Sequence, residues 1–345
     1  MKLLICTQAV DENHPILGFF IGWIKEFAQH FDEVHVICLI KGEHSLPDNV
    51  YVYSLGKEEG ENKLKYLRRF YKYFSHIFFK VRVDYVFFHM GAIYNILASP
   101  FFFIRRLYKT KFYWWKTHGH INLAGRIALF FIDRIYTAVA ESFPIATSKR
   151  VIVGHAIDTT LFNFETSAGR EPVLLFVGRL SKSKRVEQVL QVTKELLHEG
   201  VQCKTRIIGK VVNSKYYQDL VAESRAYDLN RTVTFIESMP HNTLVDAYHS
   251  AKVFMNPSDN DGLDKVILEA MATGVIPITG NLSFKNILSQ YNLFIQKGDV
   301  AEYVKRIRTL MELPDDEYEK IAVSLRALVV SEHNLDTLTK RIFDI

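Results

Sequence analysis

Short apolar runs rich in β-branched and aromatic residues alternate with helical segments along almost the whole chain, and that rhythm leaves few folds open. In the first half the runs are Lys2–Val10, Val34–Ile40, Val50–Ser54, Tyr85–His89, Lys111–Thr117 and Ile135–Ala140, with a helix expected over Ile16–Gln29. In the second half they are Val173–Val177, Cys203–Ile208, Val233–Ile236, Val253–Pro257 and Ile276–Thr279. Helical stretches lie between these at Val186–Glu199, Tyr216–Tyr227, Asn242–Ala251, Asp264–Ala272 and Asp299–Met311, and residues 316–345 read as helical. Strand then helix, repeated, specifies parallel sheets faced with helices. The fold class is α/β.

A length of 345 residues favours two domains. Asn163–Pro172 is polar, contains Gly and Pro and lacks periodicity, which makes it the expected linker. The expected layout is therefore 1–165, 166–328 and a terminal helix, 329–345, packing back on the first domain. Hydrophobic residues at 48% and charged residues at 23% exclude disorder of the chain as a whole. The cysteines, Cys6, Cys38 and Cys203, have no CxxC spacing, which argues against a disulfide framework or zinc knuckle and fits a reducing compartment. Met1–Ile5 runs into a strand without a basic leader, so a cytoplasmic protein is expected. Tyr85–Ile104 lacks Asp, Glu, Lys and Arg over a bilayer-spanning length, but His89, Gly91, Asn95 and Pro100 favour a buried strand, a turn and a helix.

Charge is uneven. Residues 1–150 hold 20 Lys and Arg against 13 Asp and Glu, whereas the remainder holds 23 against 25. Within Asn62–Ile132 the sole acid is Asp84, and aromatic residues interleave with cations in Lys63–Lys80 and Phe101–Trp115. That pattern fits peripheral contact with an anionic membrane better than a nucleic-acid groove. A solvated basic helix with inward-packed rings has the same sequence signature.

Chemistry in open α/β sheets gathers at the carboxyl ends of strands. After Val177 the chain reads Gly178-Arg179-Leu180-Ser181-Lys182-Ser183-Lys184 before a helix, offering a guanidinium, an ammonium and oriented amides to a phosphate. It is neither GxGxxG nor GxxxxGK[ST], which disfavours nicotinamide enzymes and P-loop NTPases. The stronger block is Asp261-Gly262-Leu263-Asp264-Lys265-Val266-Ile267-Leu268-Glu269, ending at Gly274. Gly262 lets backbone approach a ligand, and the helix start at Asp264 aims amides at a diphosphate. At ~1.5 Å per residue Glu269 lies roughly 7 to 8 Å further on, where a ribose beside that diphosphate would sit.

Three segments, FVGRLSKSKRVEQVL, SDNDGLDKVILEAMATGVIPI and VGHAIDTTLF, resemble the retaining family-4 glycosyltransferases. That resemblance implies the GT-B fold, two Rossmann-like domains whose parallel sheets face across a cleft, and transfer of a hexose from a UDP- or GDP-sugar to an acceptor hydroxyl. It assigns the family's paired acids to Asp261 and Glu269, the first shortened by a methylene, and its phosphate-binding cations to Arg179 and Lys184. Leu263 and Asp264 stand where Phe and Gly are frequent. His118, in Trp115–His120, matches the family's active-site histidine; His120 and His89 are secondary candidates. Gly18 would let the first loop approach donor or acceptor. Catalytic roles thus fall to His118, Arg179, Lys184 and Asp261, and donor contacts to Gly18, Gly178, Arg179, Lys184, Gly262, Leu263, Asp264, Lys265, Val266 and Glu269. No cofactor is expected beyond the donor, and no metal, although Asp259-Asn260-Asp261 spells DxD. A glycan or lipid-linked glycan is the expected acceptor. The rivals are a nucleotide-sugar 2-epimerase of the same fold and a noncatalytic nucleotide or nucleic-acid binding protein.

Overall fold

The structure, a computed structural model, describes residues 1–117, 119, 121–166, 170–258, 262–296 and 298–345. It divides into two compact units, Met1–His155 with Leu335–Ile345, and Ala156–Asn334.

Among the described residues the first unit carries β1 (Lys2–Val10), β2 (Glu33–Lys41), β3 (Val50–Ser54), β4 (Tyr85–His89), β5 (Lys111–Trp115), β6 (Arg134–Thr137) and β7 (Arg150–Ile152). They form one parallel sheet in the order β3-β2-β1-β4-β5-β6-β7, with Leu3 opposite Val34 on one side and Tyr85 on the other. Strands β1 and β4 are adjacent although two strands intervene in sequence, so the order reverses there. Such a reversal opens a crevice at the strands' carboxyl ends.

The second unit repeats the plan with β8 (Val173–Val177), β9 (Lys204–Ile208), β10 (Val233–Ile236), β11 (Val253–Asn256) and β12 (Ile276–Thr279), ordered β10-β9-β8-β11-β12. Its reversal falls between β8 and β11. Every residue of β8, β11 and β12 is buried, as expected of parallel strands covered on both faces.

The division of the chain falls at His155/Ala156, ten residues before the expected boundary at 165/166. Phe162 is fully buried in the second core, and Arg170 reaches the carbonyls of Tyr248, His249, Ala251 and Thr273 at 2.6–3.2 Å. A segment whose cation satisfies the carboxyl ends of two helices is held in that unit. At the other end, helix Leu335–Phe343 belongs to the first unit. Tyr85 Oη donates to the Phe343 carbonyl at 3.1 Å, and the Phe343 ring lies edge-on to Phe27, Phe31 and Tyr85 at 5.0–5.3 Å between centroids.

The aromatic and basic segments divide by face. In helix Lys63–His76, capped by the Asn62 side chain, Phe70 and Phe74 turn inward while Lys63, Lys65, Arg68 and Lys72 are exposed. Part of the field is neutralised by acids just outside it: Arg69 pairs with Glu59 at 2.8 Å and Arg105 Nε with Asp133 at 3.0 Å. Phe103 and Leu107, on helix Ser99–Tyr108, are 73% and 81% exposed beside the exposed Arg106. No helix among the described residues is long and apolar enough to cross a membrane.

Candidate functional site

The crevice of the second sheet is built by the turns that leave β8 and β11. At the end of β8 the Gly178 amide donates to the Ile208 carbonyl at 3.0 Å. A Cβ on Gly209, at the end of β9, would stand 1.7 Å from the Gly178 oxygen, so two strand ends meet backbone to backbone and Gly209 admits no side chain. Arg179 then projects outward, exposed, with no hydrogen-bond or ion-pair partner among the described residues. A tight turn, Lys182–Lys184, and left-handed Arg185 (φ 50°) lead into helix Val186–His198.

That turn brings Lys184 back under the sheet edge. The residue is 8% exposed, and its Nζ lies 2.7 Å from Asp264 Oδ2 and 3.3 Å from Ser258 Oγ. Asn256, the last residue of β11, donates through Nδ2 to the same Asp264 oxygen at 3.2 Å. Groups from the β8 turn, the end of β11 and a helix start therefore converge where the strand order reverses.

The helix runs Lys265–Thr273 and ends on Gly274 with φ 85°, the left-handed C-terminal stop its sequence implied. Asp264 occupies the position before the helix but makes no hydrogen bond to the helix's own first-turn amides. The Gly262 carbonyl accepts from Asn281 Nδ2 at 2.9 Å, which ties the loop to the end of β12. Leu263 and Val266 are half-buried against the second core.

Glu269 is 2% exposed, and each oxygen has a partner: His241 Nε2 at 3.1 Å and Tyr248 Oη at 3.0 Å. Burial pushes its carboxyl upward, but the hydrogen bond and charge of His241, the charge of Lys265 and the Tyr248 hydroxyl outweigh it, holding the group below the usual range. Burial pushes the Lys265 ammonium down to about 7, against the pull of Glu269. A cation titrating near neutrality thus stands in the first turn, one turn before a buried carboxylate.

Gly178, Arg179, Lys184, Gly262, Leu263, Asp264, Lys265, Val266 and Glu269 all lie in the second unit, on the two turns and the helix just described. Gly18 lies in the first unit, in the loop after β1, where a Cβ would meet the Glu12 carbonyl at 2.7 Å; backbone packing alone demands glycine there. His118 and Asp261 lie outside the described residues, as do His120, Asp259 and Asn260. His89 is 1% exposed, with Nδ1 3.0 Å from Thr7 Oγ1 and its ring stacked on Phe20 at 3.9 Å.

Two features escaped the sequence reading. Gly209 is one, although Ile207-Ile208-Gly209 echoes Phe176-Val177-Gly178 at the neighbouring strand end. The other is a cavity of ≈ 210 Å³ over the carboxyl ends of β8, β9 and β10, lined by Leu180, Gly209, Val211, Tyr217, Phe235, Ile236 and Glu237. The Tyr217 and Phe235 rings meet edge-on at 5.8 Å. Apolar walls with one carboxylate suit a flat heterocycle bearing N–H groups.

Two parallel-sheet α/β units, each with its own strand-order reversal, make this a GT-B fold. Residues 158–324, most of the second unit, match the family Glycosyl transferases group 1. Whole-chain likeness includes Anabaena Alr3699/HepE in complex with UDP and glucose, at a TM-score of 0.75 and 14% identity over 100% of this chain and 98% of that one. Sucrose-phosphate synthase of Thermosynechococcus elongatus gives a TM-score of 0.72 and 14% identity over 99% and 97%. In sequence, the D-inositol 3-phosphate glycosyltransferase of Corynebacterium efficiens is 27% identical over 154 residues, 42% of this chain and 35% of that protein. The chain thus spans about a third of that relative's length.

Proposed function

We propose that the chain is a retaining hexosyltransferase that takes its sugar from a UDP- or GDP-sugar and passes it to an acceptor hydroxyl. The observation that carries this is the convergence of Lys184, Ser258, Asn256 and the helix start at Asp264 on the reversal point of the second sheet, beside outward-facing Arg179. Two cations and a helix N-terminus stabilise negative charge, and negative charge is what a departing nucleoside diphosphate develops. The ring-lined cavity accepts the base. Glu269, with one donor on each oxygen, keeps a lone pair on each for a ribose hydroxyl. UDP in the Anabaena protein supports a uridine donor.

In this reading Asp261 and His118 hold the hexose. Attack comes from the face the diphosphate leaves, and a phosphate oxygen takes the acceptor proton, so no carboxylate base is required. The acceptor is a glycan or lipid-linked glycan, a reading supported by exposed Phe103 and Leu107 beside Arg106 and by the cations of helix Lys63–His76. Anionic vesicles should sediment the protein at low salt and release it at high salt; a protein that stays in the supernatant at both removes the membrane part.

Arg179 supplies the test of the chemistry. Because it is exposed and unpaired among the described residues, Arg179→Ala should leave the melting temperature unchanged and lower turnover of a nucleotide-sugar about 10²- to 10³-fold. Wild-type turnover in that variant would remove its role. NMR of the first-formed product must show the donor's anomeric configuration.

A further inference from the structure

The position before helix Lys265–Thr273 holds an aspartate that declines the usual duty of its kind. Asp at such a position ordinarily accepts from the amides of the first turn. Asp264 makes no such bond, and its Oδ2 instead sits 2.7 Å from Lys184 Nζ and 3.2 Å from Asn256 Nδ2. Both members of the ion pair are well covered, with side-chain exposures of 10% for Lys184 and 12% for Asp264. An anion is already seated beside the helix N-terminus and the buried lysine, where a diphosphate oxygen would make the same contacts.

We propose that Asp264 is an internal counter-ion of the diphosphate subsite, holding Lys184 until the donor's diphosphate exchanges with it. The inference rests on the donor-site reading above and adds a condition to it. A phosphate oxygen cannot share Lys184 with the carboxylate without like-charge repulsion, so binding requires the Lys184–Asp264 pair to open. Opening strips a covered ammonium of its partner, and only an incoming anion of comparable charge makes that loss good. Two consequences follow. The site discriminates against ligands lacking a diphosphate, and return of Asp264 to Lys184 helps expel the nucleoside diphosphate after transfer. Asp264 is a specificity-determining residue that acts through Lys184.

Calorimetric titration of the full chain with inorganic pyrophosphate, UDP and GDP, and with uridine and guanosine as phosphate-free controls, tests the exchange. Asp264→Asn and Asp264→Ser remove the charge while keeping side chains suited to a helix start. Either variant should bind pyrophosphate and the cognate diphosphate about tenfold more tightly, leave nucleoside affinity unchanged and lower kcat together with KM as product release slows. Equal or weaker diphosphate binding in a folded variant overturns the proposal and leaves the donor site intact. Absence of diphosphate binding in wild type and variants alike overturns the donor site as well. The wild-type chain gives a readout independent of variant folding: carbodiimide-driven amidation of Asp264, followed by mass spectrometry, should rise when pyrophosphate is added. Unchanged or diminished labelling of Asp264 on saturation with pyrophosphate refutes the exchange.

Discussion

Gly209→Ala is the substitution on which the geometry of the candidate site bears most directly. The added methyl would lie 1.7 Å from the Gly178 oxygen and 2.7 Å from its carbonyl carbon, both backbone atoms. Relief requires the strand ends to part by more than an ångström, and three hydrogen bonds stand in the way. These are Gly178 N to Ile208 O at 3.0 Å, Leu180 N to Lys210 O at 2.9 Å and Gly209 N to Ile236 O at 3.0 Å. Losing two of them costs about 2 kcal/mol net, and overpacking adds about 1–3 kcal/mol. The stiffer unfolded chain returns at most about 1 kcal/mol. A net loss of about 3 kcal/mol lowers the melting temperature of a unit this size by about 6–12 °C. The assay is thermal unfolding with hydrogen exchange read on peptides covering Val173–Arg185, where the freed amides should exchange faster. Gly200→Ala is the control: Gly200 has φ 81° but nothing within 4 Å of an added Cβ, so it reports backbone strain without collision. If Gly209→Ala melts no lower than Gly200→Ala and its exchange is that of wild type, the close approach of β8 and β9 is wrong.

Glu269 has a depressed folded-state pKa, so its network stabilises the second unit above the ordinary carboxyl range and the contribution is lost as pH falls through the folded value. The stability gap between wild type and Glu269→Gln, measured by urea unfolding, should be widest near neutrality and should close in acid. Lys265 works in the opposite sense: its folded pKa of about 7 lies below that of the unfolded chain, so stability rises with pH from about 7 towards 10 as the unfolded state holds the extra proton. Lys265→Met should flatten that rise; an unaltered slope would mean the ammonium is solvated. In the first unit, Phe343→Ala removes a ring packed on Phe27, Phe31 and Tyr85 and should cost about 3–5 kcal/mol, seen as a lower melting transition that deleting residues 335–345 reproduces.

Much of the architecture was legible because parallel strands buried on both faces have to be continuous apolar runs. Tyr85–His89, Val173–Val177, Val233–Ile236 and Ile276–Thr279 are strands over the very residues expected. Misreadings cluster where tertiary contacts override local pattern. The helix expected from Ile16 begins at Phe20, because His14 Nδ1 accepts from the Ile16 and Leu17 amides and Gly18 packs on the Glu12 carbonyl, folding Asp11–Phe19 into a compact loop. β7 is three residues long and half exposed, too short for alternation to register. Asn163–Pro172 has a linker's composition, yet the Arg170 guanidinium within it reaches four carbonyls that lie 78 to 103 residues away.

The candidate site divides the same way. Lys184 and Asp264 announce themselves as residue types, a cation after a strand and an acid before a helix, but their pairing spans 80 residues and depends on the reversal between β8 and β11. Sequence order gives the two turns separately; only strand order puts them together. The same holds for Glu269, whose spacing along its helix was readable while its donors, His241 and Tyr248, come from the preceding turn and helix. Tyr217, Phe235 and Glu237 carry no motif at all, since a ring-lined cavity is a property of three adjacent strand ends. The residue types of the two turns are therefore written locally, while the ring-lined cavity and the pairing of the Asp264 carboxylate with Lys184 are set by topology.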